Sequence, residues 1–387
     1  MAASNPRVLT DAASKTYLPS FELRPSDVPG TPVGWWVTKE TLRGGLRDGV
    51  DLIGVCNGPL TFWVLPTRGM GLWKGRFRDI ELGWNAPVRG PVHPAFVNLT
   101  DRNGIGWLAG FDEWLCRCGL ASNGPPGDDG GTPLTLHGRI ANLPAELVTV
   151  SVDPQPPHAI RVTGDVVEGG MFLGQLRLRT SYETVPGSNR ITIHDEVANL
   201  SAKPAEMQLL YHLNTGQPFL EAGSKVVVPF REMAPHTPHA AKALDGYDTY
   251  AGAVAGFAEE VYDFRPATDA DGRSVAMLHN AAGSLGLVVR WSARELPCFT
   301  VWKNTAALED GYVTGLEPAT NFAYFKAHEH SQGRVRTLPP GGIWATTWSI
   351  EVLDSAAAVR AVVGEMMALR GSVVPIVHRE PVFGPNA

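Results

Sequence analysis

Between residues 145 and 200 the chain alternates apolar and polar residues through four successive runs, AELVTVSV, HAIRVTGDVVEGG, GQLRLRTSYETV and NRITIHDEVANL. A period of two places every second side chain on one face of an extended strand, so each run reads as a strand with one buried face. VPGSNR (185–190) lies between two of the runs and reads as the turn of an antiparallel hairpin. EMQLLYHLNTG (206–216) follows as another strand, and further strands are expected near 225–230, 258–264, 275–279, 285–291, 298–303 and 342–353. Short β-type runs bounded by Gly, Pro or Asp fill 34–84. One stretch is helical in pattern, SAAAVRAVVGEMMALRG (355–371), which carries Ala, Val, Met and Leu at helical spacing and Gly371 as its stop.

These patterns predict an all-β chain, a large antiparallel β-sandwich with a short C-terminal helix. The divisions expected are an irregular N-terminal arm over 1–33, the sandwich over 34–354, and the helix and tail over 355–387. Residues 85–136 are rich in Gly and Pro, as in NAPVRGPVHP and SNGPPGDDGGTP, and carry Trp107, Phe111, Trp114 and Leu115. Loops of that length in a compact domain are usually functional. With 387 residues and 44% hydrophobic content the chain can bury a large core. Its net charge of −6, without like-charge blocks, disfavours nucleic acid and anionic membrane surfaces as partners. No apolar run approaches the ~18 residues of a membrane span, and no segment of signal-peptide type opens the chain. Cys56, Cys116, Cys118 and Cys298 are irregularly spaced, which fits reduced thiols in a cytoplasmic protein.

Ionisable groups meet strand ends or Gly turns at four places: Arg68 in LPTRGMG, His137 and Arg139 in LHGRIANLPAE, His212 in LLYHLNTG, and Glu317 in GLEPATN. Each residue alone suits a structural role. Together a histidine and a carboxylate supply an acid and a base, and an arginine with a second histidine supplies donors to hydroxyls. HEH (328–330) on a strand would put His328 and His330 on one face, with Glu317 or His93 as a further metal ligand. Trp73, Trp107, Trp302 and Phe299 are candidates to stack on a sugar face or to pack in the core.

Several segments resemble the aldose 1-epimerase (galactose mutarotase-like) superfamily, in particular its less characterised aldose-epimerase-like branch. They are PTRGMGLWKGRF, PVHPAFV, GWLAGFDEWLCRCGLASNG, LHGRIANLPAE, the long stretch TSYETVPGSNRITIHDEVANLSAKPAEMQLLYHLNTG, GYVTGLEPATN, and QGRVRTLPPGGIWATTWSIEV. The resemblance runs from about Gly54 to Val352. It implies a supersandwich of antiparallel strands with a cleft for a monosaccharide or modified sugar, and anomer interconversion by acid/base ring opening without metal or organic cofactor. It also implies roles: Glu317 as the base on the anomeric hydroxyl, His212 as the acid on the ring oxygen, and His137 as a binder of the sugar ring. Arg139 and Arg68 are the alternatives for a cleft arginine, His93 and Trp302 are further binding candidates, and DGYDTY offers Asp248 as a sugar-binding aspartate. A metal-assisted isomerase or lyase, or a binding protein without catalysis, would use the same cleft. Oligomeric state is not legible.

Overall fold

A computed structural model describes residues 6–372 and 374–385. The first five residues of the expected arm and the last two of the tail lie outside the described residues. Two large sheets pack face to face. One has ten strands in the order Lys225–Val227, Arg273–His279, Gly286–Ser292, Ile343–Leu353, Arg190–Asn199, Gln175–Thr184, Ile160–Gly169, Leu147–Val152, Arg7–Asp11 and Thr16–Tyr17. The other has fourteen, and its middle runs Glu260–Pro266, Cys298–Asn304, Val313–Ala319, Ala205–Thr215, Leu115–Leu120, Gly71–Phe77. Pairing is antiparallel except where Phe230–Pro235 meets Ile376–Val377. The architecture is the large antiparallel β-sandwich that the alternation predicts.

The alternating runs fold as read. Leu176, Leu178 and Tyr182 from one strand and Ile191, Ile193 and Val197 from its neighbour point between the sheets and are buried. The C-terminal helix spans Ala356–Arg370; Ser355 caps it by accepting the Ala358 N–H, and Gly371 ends it in a left-handed conformation, φ 56°.

Two expectations change. The N-terminal segment is not an irregular arm: Arg7–Asp11 pairs with Leu147–Val152 in one sheet, and Phe21–Leu23 edges the other. In the Gly- and Pro-rich region, LCRCGL (115–120) is a strand in the middle of the larger sheet, buried at every position. A strand covered on both faces shows no alternation, so its pattern resembles that of a loop flanked by glycines. The same strand carries Arg117 into the core between the sheets. Its guanidinium bonds Asp195 at 2.5 and 2.9 Å, Thr180 at 2.6 Å and Tyr182 at 2.9 Å, while Tyr211 donates to Asp195 at 2.8 Å. This network ties the strand of Asp195 in one sheet to the two adjacent strands of Arg117 and Tyr211 in the other. It thereby sets which residues of the larger sheet face outward.

Candidate active site

The outward face of the larger sheet carries one row of polar residues across its centre. Asp263 pairs with Thr300 and Thr300 with Glu317. The flanking pairs Leu210–Ala319 and Leu213–Leu316 put His212 across from Glu317, and Cys116 is the partner of His212 on the next strand. Because each is one residue from an inward-facing neighbour (Tyr211, Leu316, Arg117), the alternation that buries those residues in the core turns this row away from it.

His212 Nε2 and Glu317 Oε1 stand 3.3 Å apart, the residues being 5% and 3% exposed. Asn214 decides the imidazole's tautomer. Its amide donates to the carbonyls of Glu113 (2.9 Å) and His212 (3.2 Å), so its Oδ1 faces the ring and accepts from Nδ1 at 2.6 Å. The lone pair of neutral His212 is therefore at Nε2, toward Glu317. Burial pulls the His212 pKa down to about 3, with His137 adding to the effect and the Asn214 hydrogen bond opposing it. Burial pushes Glu317 well above the carboxylate range, reinforced by Cys118, Asp263 and Glu259. Both shifts favour a neutral imidazole facing a protonated carboxyl. Among the described residues Glu317 Oε1 has no hydrogen-bond partner.

Gly315 leaves room for this carboxylate. A Cβ there would lie 2.1 Å from Glu317 Oε1, so the Gly-Leu-Glu spacing lets the side chain fold back along its own strand.

Aromatic rings wall the pair. Phe111 lies 5.1 Å from His212 between ring centres, Trp302 5.3 Å, His137 5.6 Å and Trp107 6.2 Å. Trp302 donates its indole N–H to Glu259 at 2.6 Å, which holds that carboxylate at the rim. Trp107 is buried, yet its indole N–H has no partner. His137 hydrogen-bonds the Asn123 carbonyl through Nδ1 at 2.9 Å. Burial depresses its pKa, but Cys118, the Asn123 carbonyl and Glu259 together more than offset this, and the net shift is upward.

The structure thus gathers His212, Glu317, His137, Trp107 and Trp302, and leaves the other sequence candidates elsewhere. Arg68 is not a free donor: it is 1% exposed and spends its N–H groups on Glu113, Asn142 and the carbonyls of Val92 and Gly110. Arg139 is exposed and lines a separate cavity. His93 caps the short turn Pro94–Phe96 by accepting from Ala95. Asp248 takes the Thr249 hydroxyl at 2.9 Å in a loop beside Lys303. His328 and His330 lie on a helix, Lys326–Ser331, where residues two apart do not share a face; one bonds the Phe383 carbonyl and the other faces Glu206. Trp73 bonds Asp112, and Phe299 stacks on Trp291 between the sheets. Asn214 and Glu259 were missed. The Asn two residues after His212 on a strand was the available signal for the first; nothing local marks Glu259.

A family model described as a domain of unknown function (DUF4432) matches residues 47–352. The chain belongs to the DUF4432 family. It is 34% identical to the crystal structure of a "putative aldose 1-epimerase" from Klebsiella pneumoniae, with a TM-score of 0.95 over 98% of this chain and 99% of that one. At 15% and 13% identity the fold alone is shared with a galactose mutarotase-like protein from Clostridium acetobutylicum and with galactose 1-epimerase from Lactobacillus acidophilus. Their TM-scores are 0.56 and 0.54, over 83% and 82% of this chain and 99% of each of those. No curated protein matches the sequence. Among the described residues of this DUF4432 protein, no helix is long and apolar enough to cross a membrane, and no group of three or more His, Cys, Asp and Glu residues is arranged to hold a metal ion.

Proposed function

We propose that the protein is an aldose 1-epimerase-like isomerase that interconverts the anomers of a sugar through Glu317 and His212. The observation that carries this reading is the 3.3 Å approach of His212 Nε2 to a buried Glu317 oxygen that has no hydrogen-bond partner among the described residues. The anomeric and ring oxygens of a hemiacetal are bonded to the same carbon, so an acid and a base that converge on one point can serve both. The resting proton favours one order of events. His212 Nε2 takes the proton of the anomeric hydroxyl while Glu317 protonates the ring oxygen. The bond from the anomeric carbon to the ring oxygen breaks and the carbonyl forms. After rotation, Glu317 takes its proton back from that hydroxyl as the ring closes on the other face, and His212 returns its own to the anomeric oxygen. The pair ends as it began. The roles implied by the family resemblance, with Glu317 as base and His212 as acid, differ from this by one proton transfer within the pair. Trp302, Trp107 and Phe111 supply apolar surface for a sugar face, and the unpartnered Trp107 N–H is a donor for one of its oxygens.

The charges around Glu317 are those of Cys118, Asp263 and Glu259, and each raises its pKa. Arg68 is committed to Glu113, and Arg139 lines a separate cavity. A neutral sugar therefore suits the site better than a uronate or a sugar phosphate.

The test is proton NMR saturation exchange between anomers of common neutral aldoses. Enhanced exchange that disappears in Glu317→Gln supports the reading. Enhancement that survives Glu317→Gln, or its absence with every neutral aldose that binds, refutes it.

A further inference from the structure

A cavity of about 520 Å³ lies on the far side of the His137 segment and includes neither His212 nor Glu317. Its size is that of a small-molecule site. Leu99, Leu134, Leu173 and Leu176 give it an apolar wall. Its polar groups are unevenly satisfied. Lys326 is held by Asp129 at 2.7 Å and by Glu206 at 3.1 Å. The buried Glu168 accepts the Leu120 N–H at 2.6 Å; burial raises its pKa, and that hydrogen bond and the Arg139 charge oppose the rise. Two groups remain. Among the described residues the Arg139 side chain makes no hydrogen bond or ion pair. Ser122, 3% exposed, has a hydroxyl without a partner. Of the two cations that line the cavity, Lys326 is held by two carboxylates and only the Arg139 guanidinium has no direct partner among the described residues; its fork matches a carboxylate in a two-pronged contact. Carboxylates at three other points of the wall weigh against a dianion.

The same wall reaches the acid/base site. Ser122 precedes Asn123, whose carbonyl holds His137 Nδ1, and Arg139 follows His137 by two residues. The segments are locked together: at Gly138, φ 70°, a Cβ would meet the Ser122 carbonyl oxygen at 2.2 Å and that of Gly119 at 2.4 Å. A ligand bearing on Ser122 and Arg139 cannot shift them without moving His137.

We propose that this cavity is a second binding site, for a small organic monoanion whose carboxylate pairs with Arg139 and whose apolar body lies along the leucine wall, and that its occupancy is felt at His137. Binding itself does not depend on the isomerase reading; only the significance of the coupling does.

Hexanoate is the probe, with hexanamide and hexyl phosphate for comparison, titrated by calorimetry into the full-length protein. Saturation by hexanoate is expected at concentrations on the order of 1 mM. Arg139→Gln should weaken it by roughly tenfold or more, as loss of a charged hydrogen bond implies. Leu173→Asp, at an exposed position, should weaken it as well, and hexanamide and hexyl phosphate should bind less tightly than hexanoate. In NMR spectra hexanoate should shift the ring resonances of His137. Glu317→Gln should bind hexanoate like the wild type, so failure here is distinguishable from failure of the isomerase reading. The site is overturned if hexanoate does not saturate by concentrations on the order of 10 mM, if Arg139→Gln binds it unchanged, or if hexanamide binds as tightly. Binding without a His137 shift overturns the coupling.

Discussion

At the scale of single residues, the unusual element is a buried carboxyl facing a neutral imidazole. Such a group costs stability, and the cost has a pH signature. The folded-state pKa of Glu317 lies above its unfolded value, so the native state binds more protons once pH exceeds about 4.5, and stability falls as pH rises. Glu317→Gln removes this term. The mutant's stability relative to wild type should increase from pH 5 to pH 8 in chemical denaturation, while its anomer exchange drops by ~100- to 10,000-fold; a pH-independent difference would contradict the protonated resting state. His212 works in the other direction. Its depressed pKa means that the unfolded chain binds more protons below about pH 6.5, so this term erodes stability on acidification toward pH 3. Asn214 bonds the Glu113 carbonyl as well as His212, and its effect on the reaction runs through the imidazole. Asn214→Ala frees the tautomer, and the expected result is a fall of roughly tenfold in kcat, the worth of one hydrogen bond, with KM little changed.

At the scale of strands, catalytic placement depends on which face each residue occupies. Gly315 and Glu317 share the outward face of Val313–Ala319. Gly315→Ala would press on the Glu317 carboxylate, a flexible chain end, rather than on backbone. The fold should survive, with thermal stability near wild type, while kcat falls because the carboxyl is moved off His212. The Arg117–Asp195 network is the opposite case, a buried pair whose loss leaves a charge stranded. Asp195→Ala should destabilise by about 3–5 kcal/mol in urea denaturation. The row of Asp263, Thr300, Glu317, His212 and Cys116 was half legible: His212 and Glu317 stood out because each ends an apolar run in polar company. Cys116 and Asp263 did not, since their meaning comes from cross-strand register, which has no local signature.

At the scale of the whole molecule, the electrostatic character of the site is collective. Glu317, Glu259 and Asp263 come from two strands and a loop, and no arginine offsets them at the cleft. Uronic acids and sugar phosphates should show lower kcat/KM than their neutral counterparts, a difference that shrinks as salt is added and screens the exposed Glu259. A preference for the anionic sugars would show that a cation reaches the cleft. Read alone, the sequence determined the all-β sandwich, its hairpins and the C-terminal helix, because alternation, turns and caps are encoded within a few neighbouring residues; it offered His212 and Glu317 as candidates, which the fold places 3.3 Å apart. It misplaced Arg68, His93 and Asp248 and misread His328 and His330, because polar residues beside glycines look alike whether they face a cleft or satisfy a loop. Only the tertiary structure decided that Arg68 is spent on Glu113, that Arg139 faces a different cavity and that LCRCGL is a central strand. Those outcomes depend on partners dozens of residues away, and burial and hydrogen-bond satisfaction exist only once the chain has closed around them.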